Sequence, residues 1–327
     1  MSFNLAILGA TGLVGQKMRQ ILEDKDLPIR EIHFFASERS KGKIIEFKGK
    51  DYEVEVLSEE NFKRKNIDYA LCALGSGLAQ KFLPLAAANN IRVIDNSSAF
   101  RMKDDIPLVV PEINIEAINK EDKIIASPNC STIQSVVALK PIYEHYGIKR
   151  IVYTTYQAVS GSGKEGIQDL KAGLKGEKNQ FYPYQIAGNI LPHIDDFLDS
   201  GYTKEEMKMV HETKKIFNDD SLKITATAVR IPVFDSHAVA INVETIKPFQ
   251  LEDIFSLYEK EEGIVLYDNV KENIYPMPII TTGKDPVYVG RIRRDNSIEH
   301  GLNIFCVADN TRKGAALNTI QILEKLI

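Results

Sequence analysis

Along the first third of the chain, short unbroken apolar runs alternate with stretches of helical periodicity. FNLAIL (3–8), IHFFAS (32–37), YEVEVL (52–57), IDYALCAL (67–74), IRVIDN (91–96) and KIIASP (123–128) are too short for helices and rich in residues that favour strands. Between them lie helix-like stretches such as residues 13–22 and LAQKFLPLAAANN (78–90). Strands alternating with helices predict a doubly wound, parallel α/β sheet.

STIQSVVALKPIYEHYG (131–147) reads as a helix, and from Ile151 the texture changes. IVYTTYQAVSG, LKITATAVRIPVFD and HAVAINVETI are long, β-branched and often alternating, which predicts a mainly antiparallel sheet with one buried face. A polar loop-and-helix region (162–220) separates the first two. NTRKGAALNTIQILEKLI (310–327) is an amphipathic helix expected to return to the first domain. The expected organisation is a dinucleotide-binding domain over 1–129, completed by 310–327, and an α+β catalytic and dimerisation domain over 130–309.

Composition narrows the class without choosing a function. The 327 residues are 44% hydrophobic and 26% charged, with net charge −4, which gives no reason to expect nucleic acid or an anionic membrane as partner. No apolar run approaches the ~20 residues of a spanning helix. MSFNLAILGATG has neither a basic leader nor a cleavage site, so a cytoplasmic protein is expected. Three scattered cysteines make no disulfide framework or metal site. Cys72 and Cys306 sit in apolar runs and read as small buried hydrophobes, whereas Cys130 sits in the polar SPNCST.

Two local patterns carry chemistry. Gly9-Ala-Thr11-Gly12-Leu13-Val14-Gly15 follows the first strand and opens a helix, where a glycine turn lets the backbone approach a pyrophosphate. The spacing is G-x-x-G-x-x-G, and a tight structural turn is the alternative. At the end of the second strand, Ser37, Arg39 and Ser40 suit the 2′-phosphate of NADP, while Glu38 would suit the free hydroxyl of NAD. The reading taken is NADP, against that of a solvated charged loop.

Cys130 stands at a helix start, where free N–H groups and the positive end of the helix dipole favour a thiolate. Such a thiolate can attack an aldehyde, and hydride loss to a nicotinamide then leaves a thioester. A half-buried cysteine at a helix start is an equally good reading of these residues alone. Among six histidines, His237 follows PVFDS as a strand begins, seven residues after Arg230. An unbroken strand would put the two on opposite faces, but Pro232 and the Asp235-Ser236 turn are expected to break it, so that both can face one cavity.

Taken together, GATGLVG (9–15), IDNSSAFRM (94–102), VVPEIN (109–114), SPNCSTIQ (127–134), TYQAVSGSG (155–163), HETKKI (211–216), VRIPVFDSH (229–237) and DNTRKGAALN (309–318) resemble the aspartate-semialdehyde dehydrogenase family across nearly the full length. The resemblance implies a Rossmann-like first domain and NADPH-dependent reduction of L-aspartyl-4-phosphate to the semialdehyde, in lysine, threonine and methionine biosynthesis. It makes Cys130 the thioester nucleophile, His237 the general base and Gln157 the residue that orients substrate beside the thiol. Asn129, next to Cys130, joins the substrate site. Arg230 would clamp the substrate carboxylate and Glu212 its ammonium, while Arg101 and Lys215 would bind phosphate. Dinucleotide contacts would fall on the glycine loop, Arg39, Ser40, Ser160, Gly161 and Asn310. No metal is implied, and a homodimer, or a tetramer, is expected. Two departures are visible: Ala238 follows His237 where many relatives have serine, and Gly188 replaces a commoner aromatic.

From the residues, Glu212 and Lys215 share a helical face, which is equally what an ordinary surface charge pair would do. Two other functions remain in view. N-acetyl-γ-glutamyl-phosphate reductase has a blocked amine on its substrate and no use for Glu212. A non-catalytic NADP-binding paralogue would not need Cys130 or His237.

Overall fold

The computed structural model describes residues 2–327, which form two compact units. One comprises the residues up to Pro128 together with Ala315–Ile327, and the other Asn129–Gly314. The chain thus returns to the first unit at Ala315, and residues 310–314, expected with that unit, lie in the second.

The first unit runs β1 (Phe3–Leu8), α1 (Leu13–Glu23), β2 (Ile29–Ala36), β3 (Ile44–Phe47), β4 (Lys50–Glu53), β5 (Glu55–Val56), α2 (Glu59–Arg64), β6 (Tyr69–Cys72), α3 (Ser76–Ala88), β7 (Arg92–Asp95), α4 (Pro111–Asn114) and β8 (Ile124–Ala126). Among the described residues its main sheet has six strands in the order β5-β2-β1-β6-β7-β8, and every pairing is parallel. The unbroken apolar runs are explained by β1. Leu5 and Ile7 are buried with Met18 and Leu22 of α1 and with Ile320 and Leu323 of the final helix. Ala6 and Leu8 are buried on the other face with Ala79 and Leu83 of α3. The order reverses between β1 and β6, and the glycine turn leaves β1 at that switch point, where doubly wound sheets bind ligands.

YEVEVL is not one strand. Tyr52 and Glu53 finish an antiparallel hairpin with β3, and Glu55-Val56 form the sheet edge. The cause is the tip Lys48-Gly49, whose φ angles of 48° and 72° are those of a two-residue hairpin turn. The final helix, Leu317–Leu326, is anchored through Asn318, whose Nδ2 donates to the Val109 carbonyl (3.1 Å) and to Ser127 Oγ (2.9 Å).

The second unit runs α5 (Cys130–Tyr146), β9 (Ile148–Gln157), α6 (Gly163–Leu174), α7 (Lys204–Phe217), β10 (Lys223–Arg230), β11 (His237–Thr245), α8 (Leu251–Lys260), β12 (Ile264–Leu266), α9 (Pro278–Thr281), β13 (Val287–Asp295) and β14 (Gly301–Ala308). Among the described residues the sheet order is β10-β9-β11-β14-β13-β12. The three central pairings are antiparallel, as expected, but the outer two, β10 with β9 and β12 with β13, are parallel. The polar region 162–220 explains the first of these, because parallel neighbours need a long crossover and α6 and α7 supply it. Alternation along β9 buries Ile151, Tyr153 and Thr155 and leaves Val152, Thr154 and Tyr156 partly open. The helices α5, α7 and α8 pack against this sheet. Among the described residues no helix is long and apolar enough to cross a membrane.

Candidate active site

In the first unit, the glycine turn is built by close approach. Gly9 has φ +88°, and a Cβ there would meet the Ala73 carbonyl oxygen at 2.6 Å. A Cβ on Gly15 would collide with the backbone of Gly9, so both positions exclude side chains. Gly12 caps α1 with no side-chain hydrogen bond, which leaves the N-terminal N–H groups of the helix without a side-chain cap. These features fit a dinucleotide pyrophosphate. Leu13 and Val14 are half-buried in the first turn of α1.

Beyond β2, Glu38-Arg39-Ser40 form one 3₁₀ turn. Ser40 is buried and its Oγ lies 3.2 Å from Thr11 Oγ1, which joins the glycine turn to the end of β2. Ser37 and Arg39 are exposed. Glu38 is exposed too and lies 3.6 Å from Lys41. In the same unit Arg101 is buried, with Nη2 donating to the Asn96 carbonyl at 2.9 Å.

The second unit gathers most of the remaining residues. Cys130 is half-buried at the first position of α5, and a Cβ on Gly314 would sit 2.9 Å from its Cβ. The free N–H groups expected around this thiol are partly taken. Asn129 Oδ1 accepts from the backbone of Ser131 (3.0 Å) and Thr132 (3.2 Å), and the Asn129 carbonyl accepts from Ile133. The helix dipole remains, but two donors are already satisfied. Asn129 is held in turn by α7. Its N–H donates to Glu212 Oε2 at 2.6 Å, and its Nδ2 to Glu205 Oε1 at 2.8 Å. Glu212 is buried, so it is no surface charge, and Lys215 is half-buried one helical turn further on.

Arg230 ends β10 and His237 begins β11, and the intervening turn brings both to Gly161. A Cβ there would lie 2.8 Å from Arg230 Nη1 and 3.1 Å from His237 Nε2. The turn closes with Ser236 at φ +73°, a left-handed conformation costly for a non-glycine residue. Asn310 holds this turn. Its Oδ1 accepts from Ser236 N–H at 2.9 Å, and its Nδ2 donates to Ser160 Oγ at 3.0 Å. Ala158 holds both side chains. Its carbonyl accepts from Arg230 Nη1 at 2.6 Å, and its N–H donates to His237 Nδ1 at 3.0 Å. Burial first, and then the Arg230 charge, push the His237 pKa well below the ordinary imidazole range. The ring is therefore neutral, and since Nδ1 accepts, its proton is on Nε2. As it stands, His237 is a donor at Nε2.

Gln157, at the end of β9, is buried. Its Nε2 donates to Thr155 Oγ1 (3.3 Å) and Glu205 Oε1 (3.2 Å), so both amide hydrogens are used. The other two cysteines are inert packing residues. Burial, then the Asp95 charge, raise the Cys72 thiol well above its usual range, and burial pushes Cys306 up to about 12. Gly188, the departure noted above, is exposed at φ +71° with open space around it, a backbone that suits glycine. Ala238 is buried in β11.

Glu205, Gly314 and the backbone of Ala158 were not singled out from the sequence. Glu205 looks like an ordinary acid in the first turn of a helix, and a backbone group leaves no side-chain signal.

Known proteins resemble this chain along its length. Residues 4–121 match the model of the semialdehyde dehydrogenase NAD binding domain, and residues 139–313 that of the semialdehyde dehydrogenase dimerisation domain. The aspartate-semialdehyde dehydrogenase of Aquifex aeolicus is 50% identical over 336 aligned positions, covering 100% of this chain and 98% of the relative. The crystal structure of aspartate semialdehyde dehydrogenase II from Vibrio cholerae, also solved complexed with ASA, superposes with a TM-score of 0.95 at 48% identity, covering 100% of this chain and 98% of that one. The enzyme of Candida albicans, solved with NADP, gives 0.79 at 25% identity, covering 100% and 98%. With identity of this order along its full length, the chain belongs to the aspartate-semialdehyde dehydrogenase family.

Proposed function

We propose that this chain catalyses NADPH-dependent reduction of L-aspartyl-4-phosphate to L-aspartate 4-semialdehyde through a thioester on Cys130. The observation that carries the proposal is the grouping of Arg230 and His237 at Gly161, in the same unit as Cys130 at the start of α5. Cys130 attacks the acyl carbon, the carbon–oxygen bond to phosphate breaks, and the acyl group passes to sulfur. A bound dinucleotide supplies the hydride. Collapse of the resulting thiohemiacetal breaks the carbon–sulfur bond and returns the Cys130 thiolate. A planar guanidinium at Arg230 matches the substrate carboxylate, and Glu212 its ammonium. Arg101 and Lys215 are the proposed phosphate ligands.

A different part from the one the resemblance implies is proposed for His237. With Nδ1 occupied by the Ala158 N–H, Nε2 donates a hydrogen bond to the oxyanion of each tetrahedral adduct, as a neutral imidazole can. Action as a general base at Nε2 requires the other tautomer and loss of that bond. Gln157, with both hydrogens engaged, offers its carbonyl oxygen to the substrate.

NADP is favoured over NAD because Arg39 and Ser37 are exposed beside Ser40, while Glu38 pairs with Lys41. A second copy of this chain is the proposed partner, on the partly open sheet face. There Val152, Thr154, Ala240 and Phe305, with Tyr275 and Met277, line an apolar groove of about 630 Å³. Phe305→Glu is expected to shift the sedimentation coefficient from dimer to monomer.

Oxidation of aspartate semialdehyde with NADP tests the reaction. It should require added phosphate, with arsenate as a substitute, and N-acetylglutamate semialdehyde should be inactive. Sustained NADP reduction in phosphate-free buffer, giving free aspartate, would rule the proposal out.

A further inference from the structure

Behind Asn129 and Gln157 stands one acidic side chain. Glu205 lies in the first turn of α7, a place where acids are ordinarily solvated, yet it is only 5% exposed. Its Oε1 accepts from Asn129 Nδ2 at 2.8 Å and from Gln157 Nε2 at 3.2 Å. Its Oε2 accepts from Lys208 Nζ at 3.0 Å, and Lys208 also donates to Asp195 Oδ2 at 2.7 Å. An ionised carboxylate only accepts, so both amides must turn their NH₂ groups toward it. That choice has two consequences. The Asn129 oxygen is left facing Ser131 and Thr132, where it caps the helix of Cys130. For Gln157, a carbonyl oxygen and no N–H is left for the site.

We propose that Glu205 is a positioning residue that orients the Asn129 and Gln157 amides together, setting the cap beside the nucleophile and the polarity that Gln157 shows to the acyl substrate. The Gln157 half rests on the thioester reading above, whereas the cap does not. The charged groups around Glu205 fit the role. Lys208 touches it from the same helix, and Asp195, from the preceding loop, holds Lys208 in place. Glu212, also on α7, receives the Asn129 N–H. The Lys204–Asp196 pair lies outermost and exposed. Burial opposes ionisation of Glu205, but Lys208 and the hydrogen bonds from Asn129, Lys208 and Gln157 outweigh it, and the carboxyl stays below its usual range.

Two variants of the 327-residue chain test this. Glu205→Gln keeps the shape, but its amide nitrogen is repelled by Lys208 and turns toward Asn129 and Gln157, so both must flip. The kcat should then fall on the order of 10²-fold, with KM for NADP unchanged. The pH midpoint for alkylation of Cys130 by iodoacetamide should move down, because an anion is removed and two N–H groups are uncapped. The other two cysteines are buried and do not compete. In Lys208→Met the neutralising cation is gone, so Glu205 takes up a proton at higher pH. The acidic limb of kcat should shift upward, with activity recovered in alkaline buffer. A uniform fall at all pH values, or a Glu205→Gln alkylation midpoint equal to wild type, overturns the proposal. If the wild type does not turn over the semialdehyde, the proposed function fails, and the alkylation measurement still decides the cap.

Discussion

Glycine is required in both units of this protein, but for opposite reasons. In the first, Gly15 must be small because of Gly9, and Gly9 because of Ala73, just past the sheet neighbour β6, so the constraint stays within one strand–turn–helix unit and its neighbour. In the second, Gly161 must be small because of Arg230 and His237, which arrive from the ends of two other strands, β10 and β11. The glycine turn is thus a compact structure that can be read as a pattern. The proposed catalytic group is a meeting of segments, and each segment alone looks ordinary. The proposed site depends on backbone conformation in the first unit and on side-chain register in the second.

The largest effect that sharpens this contrast is expected at Cys130. Cys130→Ala should lower turnover by on the order of 10⁴-fold or more while NADP binding, followed by fluorescence titration, stays within about twofold. Retained activity would break the assignment of chemistry to the second unit. Next comes Gly161→Ala. Its Cβ would displace Arg230 or His237, so kcat/KM should fall on the order of 10²-fold with little change in Tm. Gly15→Ala should do the reverse, lowering Tm because it strains the glycine turn itself. Equal effects of the two on Tm would dissolve the comparison.

At the cofactor end, Arg39→Ala should weaken NADP by about tenfold or more and leave NAD nearly unchanged, since a charge-assisted hydrogen bond contributes roughly 1.5–3 kcal/mol. Equal losses for both cofactors would point to Glu38 instead.

A smaller effect concerns acid stability. His237 is neutral in the folded state, because burial and Arg230 depress its pKa, whereas in the unfolded chain it titrates near an ordinary value of about 6.5. The unfolded state then binds the extra proton, so the stability contributed by neutral His237 is full above that value and is lost as pH falls below it. His237→Gln should remove up to one proton from the unfolding linkage, seen as a shallower decline of stability between about pH 6.5 and 5 in urea titrations. An unchanged slope would mean that His237 is already charged when folded. The smallest effect is expected for Cys306→Ala. It removes a buried sulfur from β14 and should cost about 1 kcal/mol with kcat intact.

Much of the first unit was legible in the sequence. β1, β6 and β7 are buried on both faces, and such strands write themselves as continuous apolar runs. The pattern misleads at YEVEVL, which joins the end of a hairpin arm, set by the Lys48-Gly49 turn, to the separate edge strand Glu55-Val56. In the second unit the alternating strands were equally plain, but the two parallel outer pairings were not. Pairing direction depends on the path between strands, and alternation is the same either way. The expectation that Arg230 and His237 share a cavity came from Pro232 and the Asp235-Ser236 turn, and the left-handed Ser236 supplies the bend.

The amino-acid sequence by itself determined the αβ alternation, the glycine turn, the position of Cys130 at a helix start and membership of a family, because each depends on residues close in the chain or on motifs kept in order. Only the tertiary structure decided which nitrogen of His237 carries its proton, which end of the Gln157 amide is turned to Glu205, and that Asn129 already occupies two of the N–H groups beside Cys130. Those are hydrogen-bond choices. A donor or acceptor is satisfied by whatever the fold brings within about 3 Å, and here the partners are the Ala158 backbone and Glu205, groups that no local pattern distinguishes from their neighbours.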